Sequence, residues 1–160
     1  MNRALFFRAF CLTPVLLAVL ALTAPGRAQE DHYYSLISVD TSSAEFADDN
    51  AQRAADGSIR LSILRVPQSG PIAYGTSQVT LNCASLKYQL VSAMEYSSDG
   101  KQTDLPGEAD ATPIKPGTVG DVLKRYICDG LDPYPRSKSI KGLDAALSKA
   151  QDLIAVERNK

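Results

Sequence analysis

Two segments in the middle of the chain alternate apolar and polar residues with a period of two, the pattern of a half-buried β-strand. The apolar side of residues 58–67 consists of Ile59, Leu61 and Ile63. The apolar side of residues 76–83 consists of Val79, Leu81 and Cys83. Both segments are therefore predicted strands with one face on the core, and Cys83 is predicted to point toward that core.

Further segments extend this into a predicted antiparallel sheet. Residues 32–40 are rich in β-forming residues and predict a first strand. The segment 86–96 predicts another strand, whose larger side chains share one face at Tyr88, Leu90, Met94 and Tyr96. The turn signal at 97–100 predicts a hairpin, so residues 101–105 should return antiparallel. By contrast, the Ala-rich, charged segment 41–57 predicts a short surface helix or an irregular excursion.

A first helix is predicted after a loop at 106–117 that contains three prolines and two glycines. Thr118 is a suitable N-cap, and the apolar stripe behind it consists of Val119, Val122, Leu123, Tyr126 and Ile127. At about 100° per residue, Cys128 would point away from that stripe. Either the helix unwinds there or the cysteine is exposed and unpaired, and the stop signal Asp129-Gly130 favours unwinding.

The C-terminal residues predict a linker at 131–141 and a helix at 142–160, with an apolar stripe at Leu143, Ala146, Leu147, Ala150 and Ile154. Because this stripe is mainly Ala and Leu, we expect the helix to dock weakly on the domain or to contact a partner. The predicted architecture is one α+β domain over residues 29–130. It has an antiparallel sheet of about four or five strands, with the helix at 118–127 packed on one face.

The N-terminus has the three-part layout of a secretory signal peptide. Arg3 and Arg8 precede an apolar run at 12–22, and Gly26-Arg27-Ala28 forms a small-x-small cleavage site. A membrane anchor needs about 20 apolar residues, which this run does not reach. We therefore expect cleavage after Ala28, removal of residues 1–28, no membrane anchor, and a periplasmic or extracellular protein.

Removal of the signal peptide would leave 14 Lys and Arg against 18 Asp and Glu, a net charge of −4. A mildly acidic domain of this kind argues against nucleic acid as a partner. Two cysteines would remain, Cys83 and Cys128. In an oxidising compartment such a pair favours one structural disulfide. A redox-active pair is disfavoured, because catalytic dithiols usually lie close together as Cys-x-x-Cys.

The cysteine-bearing segments 81–101 and 113–128 resemble the surface-adhesin E-like family of small exported Gram-negative proteins. The places that match the family pattern are Val39, Asp40, Cys83, Tyr96, Gly100, Ile114, Gly117 and Cys128. The chain departs from it in having no Trp and in the additional residues at 44–56 and after Asp129. The resemblance covers about residues 33–128. It implies a small α+β fold with a disulfide, and the family name implies adhesion.

Several candidate chemistries are present only in part. His32 is the single histidine, which excludes a multi-histidine metal site. Cleavage after Ala28 would make it the fourth residue, not the third that an N-terminal copper site requires. Ser98 and Lys101 match the Ser-x-x-Lys spacing of some acyl-transfer enzymes, but lie at a predicted hairpin tip without the partner motifs. The acidic pairs Asp48-Asp49 and Glu108-Asp110 lack a calcium-loop spacing and predict solvated loops.

These observations predict a non-catalytic exported module, without cofactor or metal, that binds a protein or a cell-envelope component. One alternative is a small exported inhibitor of a hydrolase, which would present a loop such as 106–117. A less favoured alternative is a hydrolase that uses carboxylates such as Asp40 or Glu95.

Overall fold

The structure, a computed structural model, describes residues 32–135 and 137–160, so the predicted signal peptide at 1–28 lies outside the described residues. Within these residues the chain forms nine strands: β1 Tyr33–Val39, β2 Ser43–Asp48, β3 Gln52–Arg53, β4 Ile59–Pro67, β5 Ile72–Asn82, β6 Lys87–Ser97, β7 Gln102–Pro106, β8 Thr112–Pro113 and β9 Ile140–Lys141. The helices are α1 Val119–Leu123, which continues as a π-helical turn at Lys124–Cys128, and α2 Leu143–Arg158.

The strands form one antiparallel sheet in the order β7-β6-β5-β4-β2-β1-β9, with β3 paired to β4 and β8 paired to β6. The predicted antiparallel sheet with packed helices is therefore confirmed. The predicted number of four or five strands is too low. The additional strands are β2 and three two-residue pieces, β3, β8 and β9, which are too short to show a periodic pattern.

Strand β2 corrects the prediction of a surface helix or excursion at 41–57. It lies between β1 and β4 and pairs with both. Phe46 and Ala47 are both 0% exposed although they point to opposite faces of the sheet. A strand that is buried on both faces has no apolar–polar alternation, and its alanines favour a helix by their intrinsic propensity. Tertiary pairing therefore overrides the local propensity.

Each face of the sheet carries its own apolar cluster. Adjacent residues of a strand point to opposite faces, so Ile63 and Leu64 belong to different clusters. The α1 face is the side with Ile37, Ala47, Leu61, Ile63, Val79 and Leu81, covered by α1 through Leu123. The α2 face is the side with Tyr34, Leu36, Ala44, Phe46, Leu64 and Val66, covered by α2.

On the α1 face, the helix begins where the sequence predicts it. Thr118 has an extended backbone, and its Oγ1 accepts a hydrogen bond from the Asp121 N–H at 3.4 Å. The helix then widens into the π-helical turn, in which Asp129 N donates to Lys124 O at 3.1 Å. A π-helical turn has more residues per turn than an α-helix. Cys128 is therefore rotated back toward the sheet and packs against the α1-face cluster.

On the α2 face, the terminal helix is part of the core, which corrects the expectation of weak docking. Ala146 and Ala150 are 0% exposed and Ile154 is 1% exposed. Small side chains let the helix approach the strands closely, so an Ala-rich stripe here indicates tight packing. The predicted linker at 131–141 likewise ends in β9, which pairs with Tyr33 and Tyr34 of β1.

Candidate functional site

A groove lies at the edge of the α2 face, between α2 and the chain segment that leads into β9. It has a volume of about 660 Å³. Its apolar lining consists of Leu36, Pro133, Tyr134, Pro135, Ile140 and Leu153. Its polar lining consists of Ser137, Lys138 and Lys149. We name this site the α2 groove. An apolar concavity of this size with a few polar groups is typical of a ligand-binding site.

The inner walls of the groove are fixed by the regular elements of the fold. Leu36 projects from β1 and is 4% exposed, and Leu153 lies on α2 beside the buried Ile154. Ile140 belongs to β9 and is paired with Tyr34. These apolar side chains are in the α2-face cluster or pack against it. The base of the groove is therefore continuous with the hydrophobic core.

The outer wall is formed by residues 132–135 and 137–139, and local hydrogen bonds hold it in place. Tyr134 N donates to the Asp132 carboxylate at 2.8 Å, and Ser137 N donates to Tyr134 O at 2.7 Å. The hydroxyl groups of Ser139 and Ser35 are 2.9 Å apart and hydrogen-bond, which joins the segment to β1. Pro133 and Pro135 restrict the backbone further, since the proline ring fixes φ. The wall is therefore an ordered part of the fold.

Among the described residues that line the groove, the charged ones are both cations, Lys138 and Lys149. Both are exposed, and neither forms an ion pair with another residue in the part of the chain that the structure describes. The whole chain has a formal net charge of −1. The groove is therefore locally positive on a protein that is weakly negative, which favours an anionic group in a bound ligand.

The two cysteines lie away from the groove, at the α1 face. Cys83 and Cys128 are bonded to each other, with their Cα atoms 5.6 Å apart. This distance lies in the usual range for a disulfide. The bond links the residue that follows β5 to the end of the π-helical turn. Both cysteines pack against the α1-face cluster, so the disulfide has the position of a structural bond.

The acidic pair Asp48-Asp49 is placed differently from the prediction of a solvated loop. Asp48 ends β2 and is only 5% exposed. Its carboxylate accepts hydrogen bonds from His32 Nδ1 and, at 2.9 Å, from Asn50 N. Asp49 accepts a hydrogen bond from the Tyr126 hydroxyl at 3.3 Å. These hydrogen bonds join the residue before β1, the end of β2 and the π-helical turn. The sequence carries no local signal for them.

Ser98 and Lys101 lie at the turn between β6 and β7, as the hairpin signal predicts. Ser97 N donates to Lys101 O at 2.9 Å, which closes the turn. Lys101 Nζ forms an exposed ion pair with Asp99 at 2.7 Å. The lysine is thus directed to a carboxylate of its own turn.

The carboxylates Asp40 and Glu95 are not brought together. Asp40 follows β1, whereas Glu95 lies on β6, and three strands of the sheet separate them. Asp40 accepts hydrogen bonds from the Ser42 hydroxyl, Ser42 N and Ser43 N at 2.7, 2.6 and 2.9 Å. These bonds, led by the one from the Ser42 hydroxyl, lower the pKa of Asp40. It is therefore an ionised turn residue.

Glu45 is a titratable group that the sequence analysis did not single out. It lies on β2 opposite Arg65 of β4, with Arg65 Nε 3.9 Å from Glu45 Oε1. Burial raises the pKa of Glu45, and the charge of Arg65 opposes that shift. Among the described residues, no group of three or more His, Cys, Asp or Glu side chains is arranged to hold a metal ion.

Comparison with protein-family models, with curated proteins and with solved structures gave no match for this chain. The resemblance to the surface-adhesin E-like family therefore stays a hypothesis that rests on the cysteine-bearing segments. No helix within residues 32–135 and 137–160 is long and apolar enough to cross a membrane.

Proposed function

We propose that this protein is an exported, non-catalytic binding module that holds a protein or cell-envelope component in the α2 groove. The observation that carries this proposal is the groove itself, an apolar concavity of about 660 Å³ with two lysines that form no ion pair with a described residue. The signal-peptide pattern supports export. The resemblance to the surface-adhesin E-like family supports a role in adhesion or in another contact at the cell envelope.

The chemistry of the lining supports binding over catalysis. The described lining residues include no histidine, cysteine or carboxylate. The Ser137 hydroxyl is in the lining, but a serine nucleophile needs an adjacent general base, most often a histidine. The lysines and the Tyr134 hydroxyl instead supply anion recognition and amphipathic contact area.

Site-specific photocrosslinking tests this proposal. A photoreactive amino acid is placed at position 149 in the groove or, as a matched control, at position 101 on the β6–β7 turn. Both positions are exposed lysines in the native chain. We expect a discrete crosslinked product in the native cell envelope from position 149 and none from position 101. Equal labelling from both positions, or no product from either, would contradict the proposal.

A second candidate function, inhibition of a hydrolase, is favoured by the anchoring of the loop at 106–117. Glu108 N donates to Leu90 O at 2.7 Å, and Gln89 Nε2 donates to Glu108 O at 3.0 Å. Ile114 N donates to Leu86 O at 2.9 Å. The predicted loop includes the short strand β8, which the sequence did not predict. Residues 107–113 are exposed between these anchors, and a pre-ordered loop loses little entropy on binding.

Gly107 gives a direct test of this second function. A Cβ atom at this position would lie 2.0 Å from Val91 O, so Gly107→Ala must displace the loop from β6. If the loop inhibits an envelope hydrolase, the native protein should lower that activity and Gly107→Ala should not. Ala109→Ser, at an exposed position of the same loop, is the mild control. Equal inhibition by native protein and Gly107→Ala would exclude the loop as the inhibitory element.

A further inference from the structure

We propose that the ligand of the α2 groove is a fatty acid, with its acyl chain on the apolar lining and its carboxylate at Lys138 and Lys149. This inference rests on the proposed binding function and specifies its ligand class. Three features carry it: the continuity of the lining with the core, the charge of the rim and the size of the groove.

The lining suits a hydrocarbon chain better than a polypeptide. A buried peptide backbone must have its N–H and C=O groups paired, or it loses free energy on leaving water. The described lining offers two side-chain hydroxyl groups, those of Tyr134 and Ser137, among the prolines and aliphatic side chains of its walls. An acyl chain has no polar groups along its length. It therefore fills this lining without leaving a donor or acceptor unpaired.

The rim supplies the partner for the head group. Lys138 is on the outer wall and Lys149 is on α2, so cations approach the groove from both of its sides. Neither has an ion pair with a described residue, so a ligand carboxylate would not have to displace a partner from the described part of the chain. A neutral head group would gain nothing from these two charges, and a cationic one would be repelled.

The size of the groove suits a single chain. Its volume of about 660 Å³ lies inside the range of about 300–1,000 Å³ found for small-molecule sites. Each additional methylene that is buried should strengthen binding about fourfold. Affinity should therefore rise with chain length until the apolar lining is filled.

Displacement of a fluorescent fatty acid tests this inference on the exported chain, residues 29–160. The probe is 11-(dansylamino)undecanoic acid, and the competitors are dodecanoate, decanoate and decanol. We expect dodecanoate to bind about fifteenfold more tightly than decanoate, for two extra methylenes at about fourfold each. We expect decanol to bind about fivefold more weakly than decanoate, because it cannot pair with the lysines.

Two variants link the binding to the groove. The double variant Lys138→Gln and Lys149→Gln should weaken decanoate about fivefold and leave decanol unchanged. Both side chains are exposed, so folding should be unaffected. Leu153→Asp places a charge on the lining and should abolish probe binding, with circular dichroism to verify its fold. Lys101→Gln, on the distant turn, is the control and should bind like the native chain.

Some outcomes overturn the inference while the proposed function survives. If the probe does not bind, or if the double lysine variant binds decanoate as well as the native chain does, the groove is not a fatty-acid site. Displacement of the probe by an acidic apolar peptide but not by dodecanoate would identify a polypeptide ligand. In each case a crosslinked product from position 149 would still support the binding function, so the two failures are distinguishable.

Discussion

The α1 face and the α2 face belong to the same sheet, and strand β4 contributes apolar residues to both, yet their helices are held by different means. Helix α1 has only five residues before its π-helical turn, and the Cys83–Cys128 bond ties that turn to the strand. Helix α2 has 16 residues and no covalent tie to the sheet within the described chain. It is held by the close packing of Ala146, Ala150 and Ile154.

The comparison shows how helix length relates to the need for a disulfide. A short helix buries little apolar area, here mainly through Leu123, and its stabilisation is correspondingly small. A longer helix presents several buried turns and remains in place by packing alone. The α2 face also keeps an opening at its edge, the α2 groove, whereas the disulfide lies at the α1 face. The predictions on α2 and on the disulfide test this difference between the faces, and the last one concerns a residue outside both.

The largest expected effect is that of deleting α2, residues 143–160. Deletion would expose Phe46, Leu64 and Val66, which are at most 1% exposed in the intact chain. The loss should approach the whole stability of a domain, about 5–15 kcal/mol. We therefore expect no cooperative thermal transition by circular dichroism, whereas a weakly docked helix would leave a folded core. Deleting only the exposed residues 159–160 should change little. A cooperative transition after the longer deletion would show that the sheet does not need α2.

Removal of the disulfide should have the second-largest effect. Cys83 and Cys128 are 45 residues apart, for which loop-closure entropy gives a stabilisation of about 4 kcal/mol as an upper guide. The double variant Cys83→Ser and Cys128→Ser should therefore lower Tm by about 10–15 °C. Because the α2 groove is on the other face, binding of the dansyl probe should persist below that Tm.

Thiol titration provides the matching control for the native chain. The folded protein without residues 1–28 should contain no free thiol, and reduction should reproduce the stability of the double serine variant. Two reactive thiols in the oxidised, folded protein would contradict the disulfide.

Overpacking of α2 should have an intermediate effect. Ala150 is 0% exposed, so Ala150→Leu would force the helix away from the sheet and cost about 1–3 kcal/mol. Ala155→Leu, at an exposed position of the same helix, is the matched control and should be within about 0.5 kcal/mol of the native chain. Urea unfolding measures both. Equal stability of the two variants would mean that α2 is loosely packed.

The smallest expected effect is that of Asp40→Asn, which belongs to neither face. The pKa of Asp40 is below its ordinary value of 3.8, so the folded state favours the ionised carboxylate. Its contribution is present above the unfolded pKa and is lost as pH falls toward the folded pKa. Asp40→Asn should remove this dependence of stability on acidic pH. It should lower the free energy of unfolding at pH 7 by only about a few tenths of a kcal/mol, because the side chain is exposed and its charge is screened by solvent. Urea unfolding at pH 7 and pH 3.5 measures it.

The same variant tests the carboxylate-dependent hydrolase alternative. Asp40→Asn should leave every measured activity of the protein unchanged. A turnover that disappears with this substitution would instead make Asp40 catalytic and would overturn the binding proposal.

Much of the sheet was predictable from local patterns. The alternation at Leu61 and Ile63 located β4, and the turn signal at Ser97 to Gly100 located the β6–β7 hairpin. Thr118 marked the start of α1. These signals work because each reports a property of one element alone, namely which of its faces is apolar and where its backbone turns.

The remainder depended on which elements meet. Strand β2 was missed because Phe46 and Ala47 are buried on opposite faces, which removes the alternation. The contact of His32 with Asp48 joins the residue before β1 to the last residue of β2, and no local pattern predicts it. The π-helical turn that directs Cys128 to Cys83 was predicted only as an unwound helix end.

The sequence by itself determined the faces of β4, β5 and α1, and it supplied the pair of cysteines. Only the tertiary structure decided that α2 closes the second face and that the segment containing Pro133 and Pro135 forms a wall beside it. The physical reason is that a groove is a property of two surfaces. Leu36 and Leu153 line the groove from elements more than a hundred residues apart in the chain. A periodic pattern predicts the apolar face of each element, but it does not predict how far apart the two elements lie in the fold.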